Sequence, residues 1–179
     1  MATLRPQTIE SAPQGSKATL QAIRKRHGFI PNLLATFASS PALLKGYLAL
    51  DTAWEKSSFS PLERQLIFLA ASVENCCCYC VAAHATALKG LDVSPQYIQA
   101  VRNRGSLGNQ RLDALVTLTR ELVLERGLIA PGTRRRFVAA GFNEVALMEV
   151  LVGVALKVMS NYLDNLAPIA IDAAFRGEA

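Results

Sequence analysis

The feature that most restricts the fold of this chain is the regular spacing of its prolines and glycines. Pro31, Pro41, Pro61, Pro95 and Pro131 stand where helices can begin, and Gly28, Gly90, Gly105, Gly127 and Gly141 where helices can end. Proline is pre-set for a first helical turn, where its missing N–H costs nothing, and glycine accepts the left-handed conformation that closes a last turn. Ser60-Pro61-Leu62-Glu63 reads as a capping box, Ser94-Pro95 repeats the cap-proline start, and Asn143 caps the last long segment. Helices are therefore predicted over 16–27, 31–39, 41–56, 61–75, from the cysteines to Gly90, and over 95–105, 110–126, 131–140 and 143–165. No segment alternates apolar and polar residues with β-branched enrichment, so the expected fold is all-α with about eight or nine helices.

The 179 residues suffice for one domain with a sizeable core. Residues 1–15 read as an N-terminal arm, 60–90 as the helix pair carrying the chemistry, and 168–179 as a C-terminal tail. With 51% hydrophobic and 18% charged residues, the chain is more apolar than a typical small monomer, which points to subunit contacts. No stretch approaches the ~20 uninterrupted apolar residues of a membrane span; Val145–Met159 is broken by Glu149 and Lys157. The N-terminus has no apolar signal-peptide region, so a soluble cytoplasmic protein is expected. The net charge of +5 is carried on scattered positions and two short runs, Arg24–Arg26 and Arg134–Arg136, without interleaved aromatics. These read as solvated helix faces, not as a nucleic-acid or membrane surface. Aligning Ser60 with Asn143 superposes Tyr79 on Tyr162, a weak internal similarity that chance explains as well as duplication.

All four cysteines fall within five positions, Cys76, Cys77, Cys78 and Cys80, a clustering that staples no distant segments and points to redox chemistry or metal binding. At 100° per residue, Cys77, Cys80 and His84 share a stripe of about 60° on one helix face, with Cys76 and Cys78 about 100° away on either side. At a helix N-terminus, free amides and the macrodipole favour a thiolate. His84, one turn beyond Cys80, can exchange protons with it. Cys80 is expected to attack an electrophilic oxygen or sulfur, and Cys77, nearer the exposed helix end, to resolve the product into a disulfide. Two other readings stay open. Cys77, Cys80, His84 and Glu74 could form a zinc site, although a second CxxC is absent, and the cysteines could be inert filling. His27 reads as a cation at a helix C-terminus, and Tyr79 as packing.

The set Ser60-Pro61-Leu62-Glu63-Arg64-Gln65, Ser72-Val73-Glu74-Asn75 and Cys77-x-x-Cys80-x-x-x-His84 resembles the AhpD-like alkylhydroperoxidase / carboxymuconolactone decarboxylase superfamily. Gly28-Phe29-Ile30-Pro31-Asn32 resembles a segment of its peroxidase-related members, so the likeness spans most of residues 28–90. The resemblance implies an all-α AhpD-like fold assembled as trimers or hexamers. It also implies reduction of hydroperoxides without cofactor, at the expense of a lipoyl or thioredoxin-like dithiol donor. Carried over, Cys80 is the peroxidatic cysteine, Cys77 the resolving one and His84 part of the proton relay. The family's relay glutamate falls at Gln65, which cannot ionise. Glu74, just before the cysteines, is expected to replace it, since Glu63 is committed to the capping box. Carboxymuconolactone decarboxylation and a non-catalytic oligomeric or zinc-binding role are the alternatives; the decarboxylases typically lack the CxxC pair.

Overall fold

A computed structural model describes residues 4–179, and among these residues it is built from helices alone. In chain order they are α1 (Gln14–His27), α2 (Asn32–Phe37), α3 (Pro41–Trp54), α4 (Pro61–Glu74), α5 (Cys78–Lys89), α6 (Pro95–Arg102), α7 (Gln110–Leu124), α8 (Pro131–Ala139) and α9 (Glu144–Leu166), followed by a 3-10 helix, Ala173–Glu178. The punctuation acts as its chemistry dictates. The Ser60 hydroxyl accepts from the Glu63 amide while the Glu63 carboxylate accepts from the Ser60 amide, and Ser40, Ser94, Asn109 and Asn143 each cap the helix that follows. Two helices stop short of the predicted glycines: α6 ends at Arg102 and α7 at Leu124, because Arg104 and Arg126 take the left-handed turn themselves, at φ 57° and 54°.

Helix α4 is the axis of the bundle. Its residues from Leu66 to Ser72 are all buried, so it divides the core in two. Ile67 and Phe68 join Trp54, Leu115, Leu118, Val150 and Leu156 on one side, and Leu66, Leu69 and Ala70 join Leu88, Ile98, Val101 and Val116 on the other. Such an all-round apolar helix forms because every face is covered, by α5, α6, α7 and α9. Helix α9 approaches α3 and α4 closely at Gly153, where a Cβ would lie 3.0 Å from both Ile67 Cγ2 and Trp54 Cη2. That approach sinks the following turns of α9 into the bundle.

Those turns are inverted in polarity. Lys157, Ser160, Asn161 and Asp164 are buried, whereas Val145, Met148, Leu151, Tyr162 and Leu166 of the same helix are exposed. Among the described residues α9 alone is long and apolar enough to cross a membrane, yet it packs along α3, α4, α5 and α7. The segment expected to be a tail, 168–179, instead seats its 3-10 helix against α5. Asp172 accepts hydrogen bonds from the Tyr79 hydroxyl (2.6 Å) and the Asn32 amide (3.0 Å), and Glu178 pairs with Arg102 and Lys89.

Candidate active site

The turn joining α4 to α5 sets the cysteines. Asn75 ends α4 and Cys76 adopts the left-handed conformation (φ 55°), so that the Cys77 amide returns to the Ser72 carbonyl at 3.0 Å. Cys77 is then the N-cap of α5, with its Sγ accepting from the Cys80 amide at 3.3 Å. Its single thiol hydrogen has two acceptors within reach, Asp164 Oδ2 of α9 at 3.2 Å and the Cys80 sulfur, and the Asp164 carboxylate also accepts from the amides of Tyr79 and Ile169. Cys77 therefore stands one residue before the helix whose phase it was expected to share with Cys80, in an extended conformation, and meets Cys80 as its cap. The accessibility expected for Cys77 does not hold: Cys77 is 0% and Cys80 1% exposed, and only Cys80 reaches the neighbouring cavity. Asp164 covers the helix end that sequence left open. Cys76 and Cys78, by contrast, are exposed.

The cavity has a volume of about 600 Å³. Phe29, Tyr47, Phe68, Tyr79 and Phe175 supply aromatic walls, and Cys80, His84, Gln65, Lys157 and Asp51 its polar groups. Phe175, from the C-terminal 3-10 helix, meets Tyr79 edge-on with ring centroids 5.9 Å apart.

Lys157 was not identified from sequence, and it organises the polar end. Its Nζ lies 2.7 Å from His84 Nε2 and 4.5 Å from the centre of the Phe68 ring. An ammonium is a donor only, so Nε2 must accept, which leaves the proton on Nδ1. Nδ1 is 2.9 Å from Gln65 Oε1 and donates to it. Gln65 therefore occupies the relay position as a hydrogen-bond acceptor that orients the imidazole. Burial first, and the Lys157 charge second, push the His84 pKa well below its ordinary value, so the ring is neutral at neutral pH.

The two cysteines are driven apart. The Cys80 pKa falls from 9.0 to about 6, chiefly through the hydrogen bond from Cys77; burial opposes this, and the Lys157 charge with Ser160 and Asn161 reinforces it. Cys77 moves upward, because its thiol donates to Cys80, because it is buried, and because the Cys80 charge stands beside it. One proton is shared, and it rests on Cys77. Burial works against the Lys157 charge, but Tyr47, Cys80, Cys77 and Asp51 outweigh it and hold its pKa above the ordinary lysine value. A buried thiolate and a buried ammonium are thus each other's compensation.

Glu74, expected to replace the relay acid, is not at this site. Its side chain is 2% exposed and points to the other side of α4, where it pairs with Arg104 (3.0 Å) and Arg120 (3.5 Å). The reason is register: Glu74 is the last residue of α4, on the face toward α6 and α7, whereas Gln65 faces α5. Its role is to tie helices together, and the Cys77–Cys80–His84–Glu74 zinc constellation does not converge. Among the described residues no three His, Cys, Asp or Glu side chains are placed to share a metal ion.

Residues 41–122 match the model of the carboxymuconolactone decarboxylase family. The whole chain superposes on solved structures of low sequence identity. An uncharacterised peroxidase-related protein from Silicibacter sp. TM1040 shares 20% identity at a TM-score of 0.84, over 98% of this chain and 95% of that one. An AhpD-core, peroxidase-related protein from Ralstonia eutropha JMP134 shares 19% at 0.85, over 98% and 96%. The debrominase Bmp8, in complex with 2,3,4-tribromopyrrole, shares 16% at 0.82, over 99% and 96%. At these identities the likeness establishes the all-α AhpD-like fold. No curated protein sequence matches the chain.

Proposed function

We propose that this chain is a member of the AhpD-like / carboxymuconolactone decarboxylase superfamily, whose family model matches residues 41–122 and whose fold it shares, and that within it the chain is a thiol-dependent, peroxidase-like oxidoreductase acting through Cys80 and Cys77. The observation that carries this reading is the arrangement of the pair: Cys80 lines the cavity beside Lys157 and His84 with its pKa lowered, and Cys77, enclosed behind it as the N-cap of the same helix, has its own raised. That is the charge distribution a two-step dithiol reduction needs.

In the first step the Cys80 thiolate attacks the terminal oxygen of a hydroperoxide. The O–O bond breaks, Cys80 becomes a sulfenic acid, and the departing alkoxide takes a proton from the Lys157–His84 pair beside it. In the second step Cys77 sulfur attacks the Cys80 sulfenic sulfur. Water leaves, carrying the sulfenic hydroxyl and the Cys77 proton, and the Cys77–Cys80 disulfide remains. Overall one hydroperoxide and two thiols give one alcohol, one water and one disulfide. The extra disulfide partners Cys76 and Cys78 lie outside the buried pair. A dithiol donor returns the pair to the reduced state.

A second reading has its own support. The aromatic walls of a cavity of about 600 Å³ suit a planar ring better than a small peroxide, and a debrominase has this fold. The same dithiol would then supply two electrons to an aromatic substrate. Hydroperoxide consumption by wild type, Cys80→Ser and Cys77→Ser, with mass spectrometry of the Cys77–Cys80 peptide, separates the readings. The peroxidase reading expects fast loss of two hydrogens' mass in wild type and a stalled sulfenic acid in Cys77→Ser. Equal consumption in all three proteins would end it.

A further inference from the structure

Cys77 has to lose its hydrogen as its sulfur bonds to Cys80, and its surroundings make that loss difficult. It is 0% exposed, and the cavity wall includes Cys80 but not Cys77, so water in the cavity has no direct access to that hydrogen. The Lys157–His84 pair is engaged elsewhere. His84 Nε2 lies 2.7 Å from Lys157 Nζ and Nδ1 lies 2.9 Å from Gln65 Oε1, and among the described residues neither side chain hydrogen-bonds Cys77.

Asp164 is the group in place. Its Oδ2 lies 3.2 Å from Cys77 Sγ, and among the described residues no other side chain outside the cysteine pair hydrogen-bonds that sulfur. The carboxylate is held by both oxygens: Oδ2 accepts from the Tyr79 amide at 3.4 Å and Oδ1 from the Ile169 amide at 2.9 Å. The Cys80 amide donates to Cys77 Sγ at 3.3 Å. The sulfur therefore has an acceptor for its hydrogen and a donor for the charge that develops as the hydrogen leaves. Asp164 is 8% exposed and keeps an access to solvent that the sulfur lacks. Helix α9 thus serves the two cysteines separately. Lys157 stands with Cys80 in the cavity wall, and Asp164, two turns further along, stands with Cys77 behind it.

We propose that Asp164 is a catalytic residue of the second step, the base that takes the Cys77 hydrogen as the disulfide closes; this rests on the dithiol reading above. The Cys77 S–H bond breaks, its hydrogen goes to the Asp164 carboxylate, and its electron pair forms the bond to Cys80 sulfur. The S–O bond of the sulfenic acid breaks with its pair on oxygen. The departing hydroxide, with the hydrogen that Asp164 took, makes the water of that step. A carboxylate is a weak base toward a thiol, but transfer concerted with attack needs no free Cys77 thiolate.

The test leaves hydroperoxides aside. The full-length protein carries Cys76→Ser and Cys78→Ser, which removes the exposed thiols, and is mixed with 2,2′-dithiodipyridine, a flat aromatic disulfide. Cys80 sulfur attacks the probe and releases one pyridine-2-thione. Cys77 then attacks the mixed disulfide on Cys80, the bond to the pyridyl sulfur breaks, and a second pyridine-2-thione leaves. Absorbance follows the two releases as separate phases across pH. Asp164→Asn keeps the size and an acceptor oxygen but not the base. It is expected to slow the second phase roughly hundredfold at neutral pH, to change the first far less, and to make the second climb with pH where wild type is flat. Asp164→Glu is expected to restore the flat profile, and a solvent isotope effect in the Asp164 protein is expected on the second phase alone. A second phase in Asp164→Asn as fast as with Asp164, or faster because the carboxylate only restrains the thiol, would overturn the proposal. Equal slowing of both phases, fewer than two equivalents released by the Asp164 protein, or no isotope effect on its second phase would also overturn it. If Asp164→Asn does not fold, the isotope effect and the Asp164→Glu profile decide. A carboxylate-dependent second phase without hydroperoxide turnover upholds Asp164 and removes the peroxidase reading.

Discussion

Replacing Cys77 by alanine tests the electrostatic core of the site. Cys80 has its pKa lowered from 9.0 to about 6, and a shift of that size corresponds to about 4 kcal/mol of stabilisation of the thiolate relative to that of an ordinary cysteine. The largest contribution is the hydrogen bond from the Cys77 thiol, with Lys157, Ser160 and Asn161 adding to it. A hydrogen bond to a charged acceptor contributes about 1.5–3 kcal/mol, so losing it should raise the Cys80 midpoint by roughly one to two pH units. The remaining groups stay in place and keep the thiol below its ordinary value. The measurement is the pH dependence of iodoacetamide alkylation in a Cys76→Ser/Cys78→Ser background, which removes the two exposed thiols. Cys77→Ser is the control: its hydroxyl can still donate, so its midpoint should stay closer to wild type. A midpoint that remains near 6 in Cys77→Ala would refute the shared-proton argument and leave Lys157 as the main cause.

Three further outcomes follow from the same geometry. Glu74→Gln should leave Cys80 reactivity unchanged and lower stability by roughly 2–3 kcal/mol in urea unfolding, because it strands Arg120 in a largely buried pair; a loss of turnover with intact stability would return Glu74 to the relay. Gln65→Glu places a carboxylate on His84 Nδ1 and should raise the imidazole pKa by roughly one to two pH units, read from its NMR titration; an unmoved titration would mean that Gln65 does not orient the ring. Because the His84 pKa is depressed in the folded protein, the unfolded chain binds the extra proton below its ordinary value of 6.5. Stability should therefore fall as pH drops through that value, by up to about 1.4 kcal/mol per pH unit, and His84→Gln should lose this component; identical pH slopes for the two proteins would contradict it.

Much of this molecule was legible because its signals are local. Proline, glycine and the capping side chains act within a single turn, which is why α3, α4, α8 and α9 begin where sequence places them. The phase of Cys80 and His84 is equally local. What escaped depends on which face of a helix is covered. Lys157 looked like an interruption in an apolar run, and nothing in the sequence singled out Asp164. Amphipathic reading assigns polar residues to water, and α9 reverses that rule over its second half, where the burial of Lys157, Ser160, Asn161 and Asp164 follows from the close approach at Gly153. The sign was present as spacing, since these four polar residues recur on one face of an otherwise apolar helix. Glu74 failed for the converse reason: nearness in sequence to the cysteines does not survive the half-turn of register that directs it to α6 and α7. The C-terminal wall was missed because Phe175 and Asp172 meet Tyr79 from across about half the chain, a contact no local pattern encodes.

Gln65 carries a consequence for how protons travel. An amide oxygen accepts the hydrogen on His84 Nδ1 but has no second basic site from which to pass one on. The imidazole is therefore a terminus, not a conduit: traffic enters and leaves on its Nε2 side, at Lys157, facing the substrate. With a glutamate at this position the network would be a wire open at both ends; with glutamine it is a capacitor, holding one proton and returning it to the cavity from which it came. Such a site exchanges protons with the reactants themselves, and a proton inventory in mixed light and heavy water should be linear, the mark of a single hydrogen in flight.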